Sequence, residues 1–246
     1  MSKVVLIGES WFSHTIHQKG FDSFTSSEYT EGGSEFCTEL AGHGHDVTRI
    51  PAHYIPERVP DEVSGYDDVD VVVISDVGAN SFLLTPKTFV RSERTPDKLQ
   101  ALAEWVRGGG GLLMVGGYMS FTGIDAKARF GQSALADVLP VKMLDTDDRV
   151  ERPDGVEATT DGHHASIDGL ATSWPPLLGY NRVVAREGAT TVATCGDDPL
   201  LVVGSAGAGR TAAFTSDLAP HWAPPEFLAW DGYGRLWHQL VTWLAG

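Results

Sequence analysis

Four short apolar runs constrain the fold more than any other feature of this chain. Residues 3–7 (KVVLI), 46–50 (DVTRI), 70–74 (DVVVI) and 112–115 (LLMV) are rich in β-branched side chains, and each is followed by glycine, proline or a polar residue. They are too short for helices, and the near-continuous ones read as strands covered on both faces, as in a parallel sheet. Helical spacing fills the gaps. Residues 31–45 carry Phe36, Cys37, Leu40 and Ala41 on one face, with Gly42 and Gly44 as stop signals. Residues 96–107 carry Leu99, Leu102, Ala103 and Val106, with Thr95 expected as N-cap, Pro96 at the first helical position and Asp97 in the first turn. Parallel neighbours need crossover connections, so strand, helix and strand in alternation predict an α/β fold: doubly wound, with a mainly parallel sheet.

The rest of the chain differs in character. Residues 9–30 form a long segment of serine, histidine and aromatic residues, and residues 141–160 are polar and β-leaning. Short strand-like runs at 181–185, 190–194, 200–204 and 210–215 are separated by Gly and Asp turns, which predicts an antiparallel extension at one edge of the sheet. Residues 232–244 close the chain as an amphipathic helix, with Leu236, Trp237, Leu240, Val241 and Leu244 on one face. At 246 residues, with no repeat or linker, one domain over 1–246 is expected.

Composition excludes some functions. With 33 acidic against 18 basic residues and a net charge of −15, the chain is a poor match for nucleic acid or an anionic membrane. No apolar run reaches the ~18–20 residues that cross a bilayer, and MSKVVLIGES is too short for a secretory signal, so a cytoplasmic protein is expected. Two cysteines, Cys37 within the first helix and Cys195 at an edge strand, do not make a disulfide framework and read as buried free thiols. Glycines 108–111 precede a strand and glycines 204, 207 and 209 join two strands, whereas a dinucleotide loop follows a strand and opens a helix. His14 with His17, His43 with His45, and His163-His164 in a turn after Asp161-Gly162 lack the layout of a metal site. No cofactor and no metal are expected.

In an open α/β sheet, ligands bind beyond the carboxyl ends of the strands, where strand order reverses. Four such ends combine polar groups with glycine, small residues or tryptophan. They hold Glu9, Ser10 and Trp11; Asp76 and Asn80; Tyr118, Ser120 and Phe121; and Asp217, His221 and Trp222. Together they suggest one pocket for a small-molecule ligand.

These same segments carry a family resemblance. GESW at 8–11, SDVGANSF at 75–82, GGYMSFTG at 116–123, and SDLAPHW with the following W-x-G-Y over 216–233 resemble the glutamine-amidotransferase-like group of bacterial proteins, within the class I glutamine amidotransferase and ThuA-like superfamily. The resemblance spans nearly the whole chain and implies a flavodoxin-like sheet with a turn at 116–120 corresponding to the nucleophile elbow. Glutaminases of that superfamily have Gly-x-Cys-x-Gly there, with the thiol activated by a histidine that a carboxylate orients. Here Tyr118 stands in the cysteine position and Ser120 in that of the last glycine. A phenol with a pKa near ~10 replaces a thiol poorly at neutral pH, so glutaminase activity is not expected.

Tyr118 is instead a candidate general acid or hydrogen-bond donor, or else a ring packed under its loop. Ser120 is a second candidate, or a cap for the segment after it. His221, with Asp217 before it and Glu226 after it, lies where the resemblance implies the base; the usual His-x-Glu spacing is missing. Glu9 is a candidate base or hydroxyl ligand, or a salt-bridge partner of Arg91 or Arg94. Trp11, Trp222 and Trp230 are candidates for a sugar-stacking wall, or for packing. Two functions follow: binding or processing of a small polar metabolite of the sugar or polyol kind, or a non-catalytic binding or assembly protein of the same fold. Hydrolysis through a Ser120 or Tyr118 nucleophile is a third reading with no positive support. The aromatic excess over residues 9–24 and 222–237 points to a homo-oligomer.

Overall fold

The computed structural model describes residues 1–161 and 163–246; Gly162, the glycine of the turn expected before His163-His164, lies outside them. Among the described residues thirteen strands run in order: β1 (Lys3–Gly8), β2 (Ser10–Lys19), β3 (Asp22–Glu31), β4 (Asp46–Ile50), β5 (Val71–Ser75), β6 (Gly111–Val115), β7 (Val141–Met143), β8 (Arg149–Thr159), β9 (Ser173–Asn181), β10 (Val183–Ala185), β11 (Thr190–Cys195), β12 (Asp198–Ala206) and β13 (Gly209–Phe214). Nine of them form one sheet in the order β4-β1-β5-β6-β13-β12-β11-β8-β9.

The first five strands of that sheet are parallel to one another. Numbered along the chain, they stand in the order 2-1-3-4-5, the flavodoxin-like arrangement expected from the sequence. The switch point therefore lies between the ends of β1 and β5. Beyond β13 the sheet continues antiparallel through β12, β11, β8 and β9.

The strand residues explain the layering. In β5 and β6 all ten positions are buried, because helices cover both faces. One face packs on the Ser34–Gly42 and Tyr233–Ala245 helices through Phe36, Leu40, Leu236, Trp237 and Leu240. The other packs on the Lys98–Arg107 helix through Leu99, Leu102, Ala103 and Val106.

Four details correct the sequence reading. The Lys98–Arg107 helix is capped by Asp97, whose carboxylate accepts from the amides of Leu99 and Gln100, while the Thr95 hydroxyl bonds to Thr88 at 2.8 Å. An Asp cap fits the helix dipole as well as a Thr does. β13 joins the parallel set rather than the antiparallel edge. β10 pairs only with β7, in a separate two-stranded sheet. Cys195 ends β11, which lies inside the sheet and not at its edge. The unassigned segment after β1 forms the β2–β3 hairpin.

Candidate functional site

All four strand-end loops hold a non-glycine residue in backbone that favours glycine, Phe121 in the turn after β6 at φ 51° among them. Glu9 directly follows β1 at φ 48°, Asp76 directly follows β5 at φ 43°, and His221 lies in the loop after β13 at φ 142°. Each such conformation costs about 1–3 kcal/mol and persists only where its surroundings enforce it. Here they do. Gly8 packs so closely on β5 that a Cβ on it would lie 1.9 Å from the Ser75 carbonyl, which forces the turn at Glu9. The Gly32 amide then donates to the Glu9 carbonyl at 2.7 Å. At Asp76, the backbone amide donates to the Ser120 hydroxyl (3.1 Å), and the carboxylate accepts from the amides of Met119 (2.8 Å) and Tyr118. Ser120 thus holds Asp76 rather than capping the segment after it.

The side chains converge. Glu9 and Asp217 are 2% and 1% exposed, with Asp76 beside them. Burial, then the charge of Asp76, pushes the Glu9 carboxyl up to about 7, against the Ser75 hydroxyl and the Arg49 guanidinium. Burial, then the charges of Glu9 and Asp76, raises Asp217 well above the usual carboxylate range. Asp76 is raised by burial too, opposed by its bond from Met119 and by His221. Three carboxyls in one poorly solvated place cannot all ionise at neutral pH.

Over this acidic floor lies an aromatic rim. The Tyr118 ring is 5.8 Å from the His221 ring at an interplanar angle of 23°, and 5.5 Å from that of Trp222. Trp11, from the root of the β2–β3 hairpin, is 5.6 Å from His221. The Arg149 guanidinium sits 4.9 Å from the centre of the Tyr118 ring. Burial and then Glu151 raise the Tyr118 phenol, so it stays protonated at neutral pH and acts as a donor. His221 Nδ1 lies 3.9 Å from the Asp217 carboxylate, and its side chain is half exposed.

Other candidates lie apart. Phe121 is fully buried at φ 51° in the core layer beneath the Lys98–Arg107 helix. Asn80 is exposed at the first turn of the short Asn80–Leu83 helix. Trp222 is the exception: it belongs to the rim beside Tyr118, is itself buried, and donates its indole N–H to Glu151 at 3.0 Å. Trp230 packs against Trp174 and Phe227, so the three tryptophans do not form one wall. Glu226 is exposed on the Pro225–Leu228 helix. Arg91 pairs with Glu93 at 3.8 Å, not with Glu9.

Sequence reasoning missed the support behind the turn after β6. Asn181, fully buried at the end of β9, accepts from the Gly117 amide at 3.0 Å and donates to Asp148 at 2.8 Å. Asp148 also accepts from the amides of Thr122 and Gly123, each at 2.9 Å. The only signal was an acidic pair, Asp147-Asp148, before Arg149 in a stretch without periodicity. No helix begins after Tyr118; the chain passes into the short 3₁₀ turn Ile124–Ala126. That is unlike a nucleophile elbow, where strand passes to helix.

Neither thiol is poised for attack. Burial pushes Cys195 up to about 12, and burial also raises the half-buried Cys37. Among the described residues, no three His, Cys, Asp or Glu stand in an arrangement that holds a metal ion. His43 stacks on His238 at 4.4 Å, and His45 hydrogen-bonds His238 at 2.8 Å. His14 and His17 fall on opposite faces of the hairpin, each bonded to a serine. A cleft of about 450 Å³, lined by Pro56, Asp61, Lys87, Arg94 and Lys98, is separate from the carboxyl cluster. No helix among the described residues is long and apolar enough to cross a membrane.

Comparison with known proteins follows the same lines. The structure of "Cytoplasmic Protein STM3548" from Salmonella typhimurium is 45% identical over 99% of both chains, with a TM-score of 0.95. "Cytoplasmic Protein STM1381" from Salmonella typhimurium LT2 is 46% identical over 98% of this chain and 99% of its own, also at 0.95. A ThuA-like protein from Parabacteroides merdae shares the fold at a TM-score of 0.56 and 14% identity, over 99% of this chain and 90% of its own. No curated protein sequence matches significantly. The family model GATase1_like, described as "Putative glutamine amidotransferase", matches residues 3–246, and the chain belongs to that family.

Proposed function

We propose that this protein binds or processes a small polar metabolite, sugar- or polyol-like, at the carboxyl ends of β1, β5, β6 and β13, and that it is not a glutaminase. One observation carries the reading: Glu9, Asp76 and Asp217, from three separate loops, gather beneath the rings of Tyr118, His221 and Trp11. A polyol suits such a place. Its hydroxyls donate to carboxylates and accept from a phenol, and its C–H faces pack on aromatic rings. Glu9, with a pKa of about 7, can give or take a proton at neutral pH; Tyr118 donates a hydrogen bond, and His221 faces solvent beside Asp217 as the second base. The naming of both Salmonella relatives as cytoplasmic supports the same location for this protein.

A second reading, a non-catalytic binding protein, is favoured by the raised thiols and by the missing helix after Tyr118. Both readings predict a ligand, and one experiment tests it. Thermal melts are run against a panel of sugars, polyols, lactones and amides, with ammonia release from glutamine measured alongside. A ligand at ~100 times its Kd adds about 2.7 kcal/mol, a shift of several degrees in a chain this size. A shift by a sugar or polyol that Glu9→Gln abolishes supports the proposal, and turnover of that ligand separates enzyme from binder. Ammonia release, or no shift from any hydroxylated compound, overturns it.

A further inference from the structure

The β2–β3 hairpin has no place in the reading above beyond Trp11 at its root. Ten unbroken antiparallel pairs run from Ser10–Glu31 to Lys19–Asp22, and the two strands form a sheet of their own. At the root, Phe12 and Tyr29 pack on His53 and Trp11 on His221. Further out the arm is exposed. At ~3.4 Å per residue it is about 34 Å long.

Such an arm is not self-sufficient. A two-stranded hairpin with no third strand is marginally stable in water. This one leaves Ile16 at 74%, Phe24 at 52% and the tip residue Phe21 at full exposure. Both outer edges carry unpaired backbone groups, and the usual protections of an edge are missing: residues 10–31 contain no proline, one lysine and no bulge.

We infer that this arm docks on a second copy of the chain, by two-fold pairing along the free edge of β2. Self-complementarity favours a second copy: the free edge of β2 is ten residues long, and the same edge of another copy supplies an antiparallel partner of equal length. Charge selects the edge. The acidic residues of the arm, Asp22, Glu28 and Glu31, all lie on β3, while β2 carries only Lys19. In a chain of net charge −15, β2 is an edge along which two copies meet without acid opposite acid. A two-fold axis normal to the sheet keeps like faces together, so residues of equal parity face each other. Centring it on His14 sets Phe12 of each copy opposite Ile16 of the other. The arms then run in opposite directions, and each tip, with Lys19 and Phe21, reaches the other copy's hairpin root beside Trp11 and His221. The second copy thereby extends the aromatic rim of the candidate site. This docking does not depend on what that site binds.

The test uses the full chain. Sedimentation velocity at micromolar concentration is expected to give twice the monomer mass, and Ile16→Asp to weaken the dimer about tenfold or more. Ile16 is exposed, so the melting curve and circular dichroism of that variant should match the monomer's own fold. His14→Cys, at the axis, is expected to cross-link into dimers on mild oxidation; Ser27→Cys, on the same face but on β3, is not. A monomeric wild type, a dimer indifferent to Ile16→Asp, or equal cross-linking by the two cysteine variants would each overturn the inference.

Discussion

Ser75 donates its hydroxyl proton to the Glu9 carboxyl at 2.5 Å, tying together the ends of adjacent parallel strands β1 and β5 at the switch point of the sheet. That bond favours the ionised carboxylate, and Arg49 acts in the same sense, yet burial and the charge of Asp76 outweigh both. The site is therefore built around a proton as much as around side chains.

Stability should report that proton. A carboxyl at about 4.5 in the unfolded chain and about 7 in the fold takes up a proton on folding between those values. Its contribution is complete below the unfolded value and is lost as pH rises through about 7, with a ceiling near 3 kcal/mol. Asp217 acts in the same direction. Glu9→Gln is expected to melt several degrees above wild type near pH ~8.5 and to converge with it towards pH ~4.5. Equal melting temperatures at the higher pH would remove the buried charge from the account.

Asn181 makes a second prediction. Its removal leaves the Gly117 amide and one Asp148 contact unpaired in the interior, at a cost of about 1–3 kcal/mol each. Asn181→Ala is expected to lower the urea midpoint by an amount equivalent to about 3 kcal/mol with an unchanged slope. A loss under about 1 kcal/mol would mean that water or a relaxed loop takes over both bonds.

Much of this was legible in the sequence, for local reasons. The buried runs at β1, β5 and β6 and the apolar faces of the three long helices are periodic signals, and periodicity survives without tertiary context. The strand-end rule then placed Glu9, Asp76, Tyr118, Asp217 and His221 near one another. What was not legible depended on partners far along the chain. Asn181 and Asp148 matter because β8 and β9 fold back onto the turn after β6, and no local pattern marks that. Phe121 read as a pocket residue from its neighbours, but a φ of 51° swings it into the core. The hairpin arm escaped because an exposed ribbon has no buried face to impose alternation on its sequence.

Gly8 and Gly20 form a controlled pair for the backbone argument. Both have positive φ, 108° and 60°, but a Cβ on Gly8 meets the Ser75 carbonyl at 1.9 Å while one on Gly20 meets nothing within 4 Å. Gly20→Ala is expected to cost about 1 kcal/mol, the strain alone. Gly8→Ala should cost several-fold more, because β1 and β5 must separate where Glu9 and Ser75 meet. Chemical denaturation of the two variants side by side checks this. Similar losses would show that β1 relaxes freely at its end.

Tyr118 separates the roles of ring and hydroxyl. The ring carries contacts with Arg149, His221 and Trp222, which Tyr118→Phe keeps, while the hydroxyl, bonded to Glu151 and Arg149, is lost. Its fold is expected to change by less than about 1 kcal/mol, within the range for one partly exposed hydroxyl. If the phenol donates to the ligand, affinity should fall about tenfold, the worth of one well-made hydrogen bond. The pH dependence of binding supplies the control. Burial and Glu151 hold the phenol protonated through neutrality, so a step near pH 7 belongs to the carboxyl cluster around Glu9 and should stay in place in Tyr118→Phe. A step that moves with Tyr118→Phe while Glu9→Gln leaves it alone would exchange the roles of the two residues.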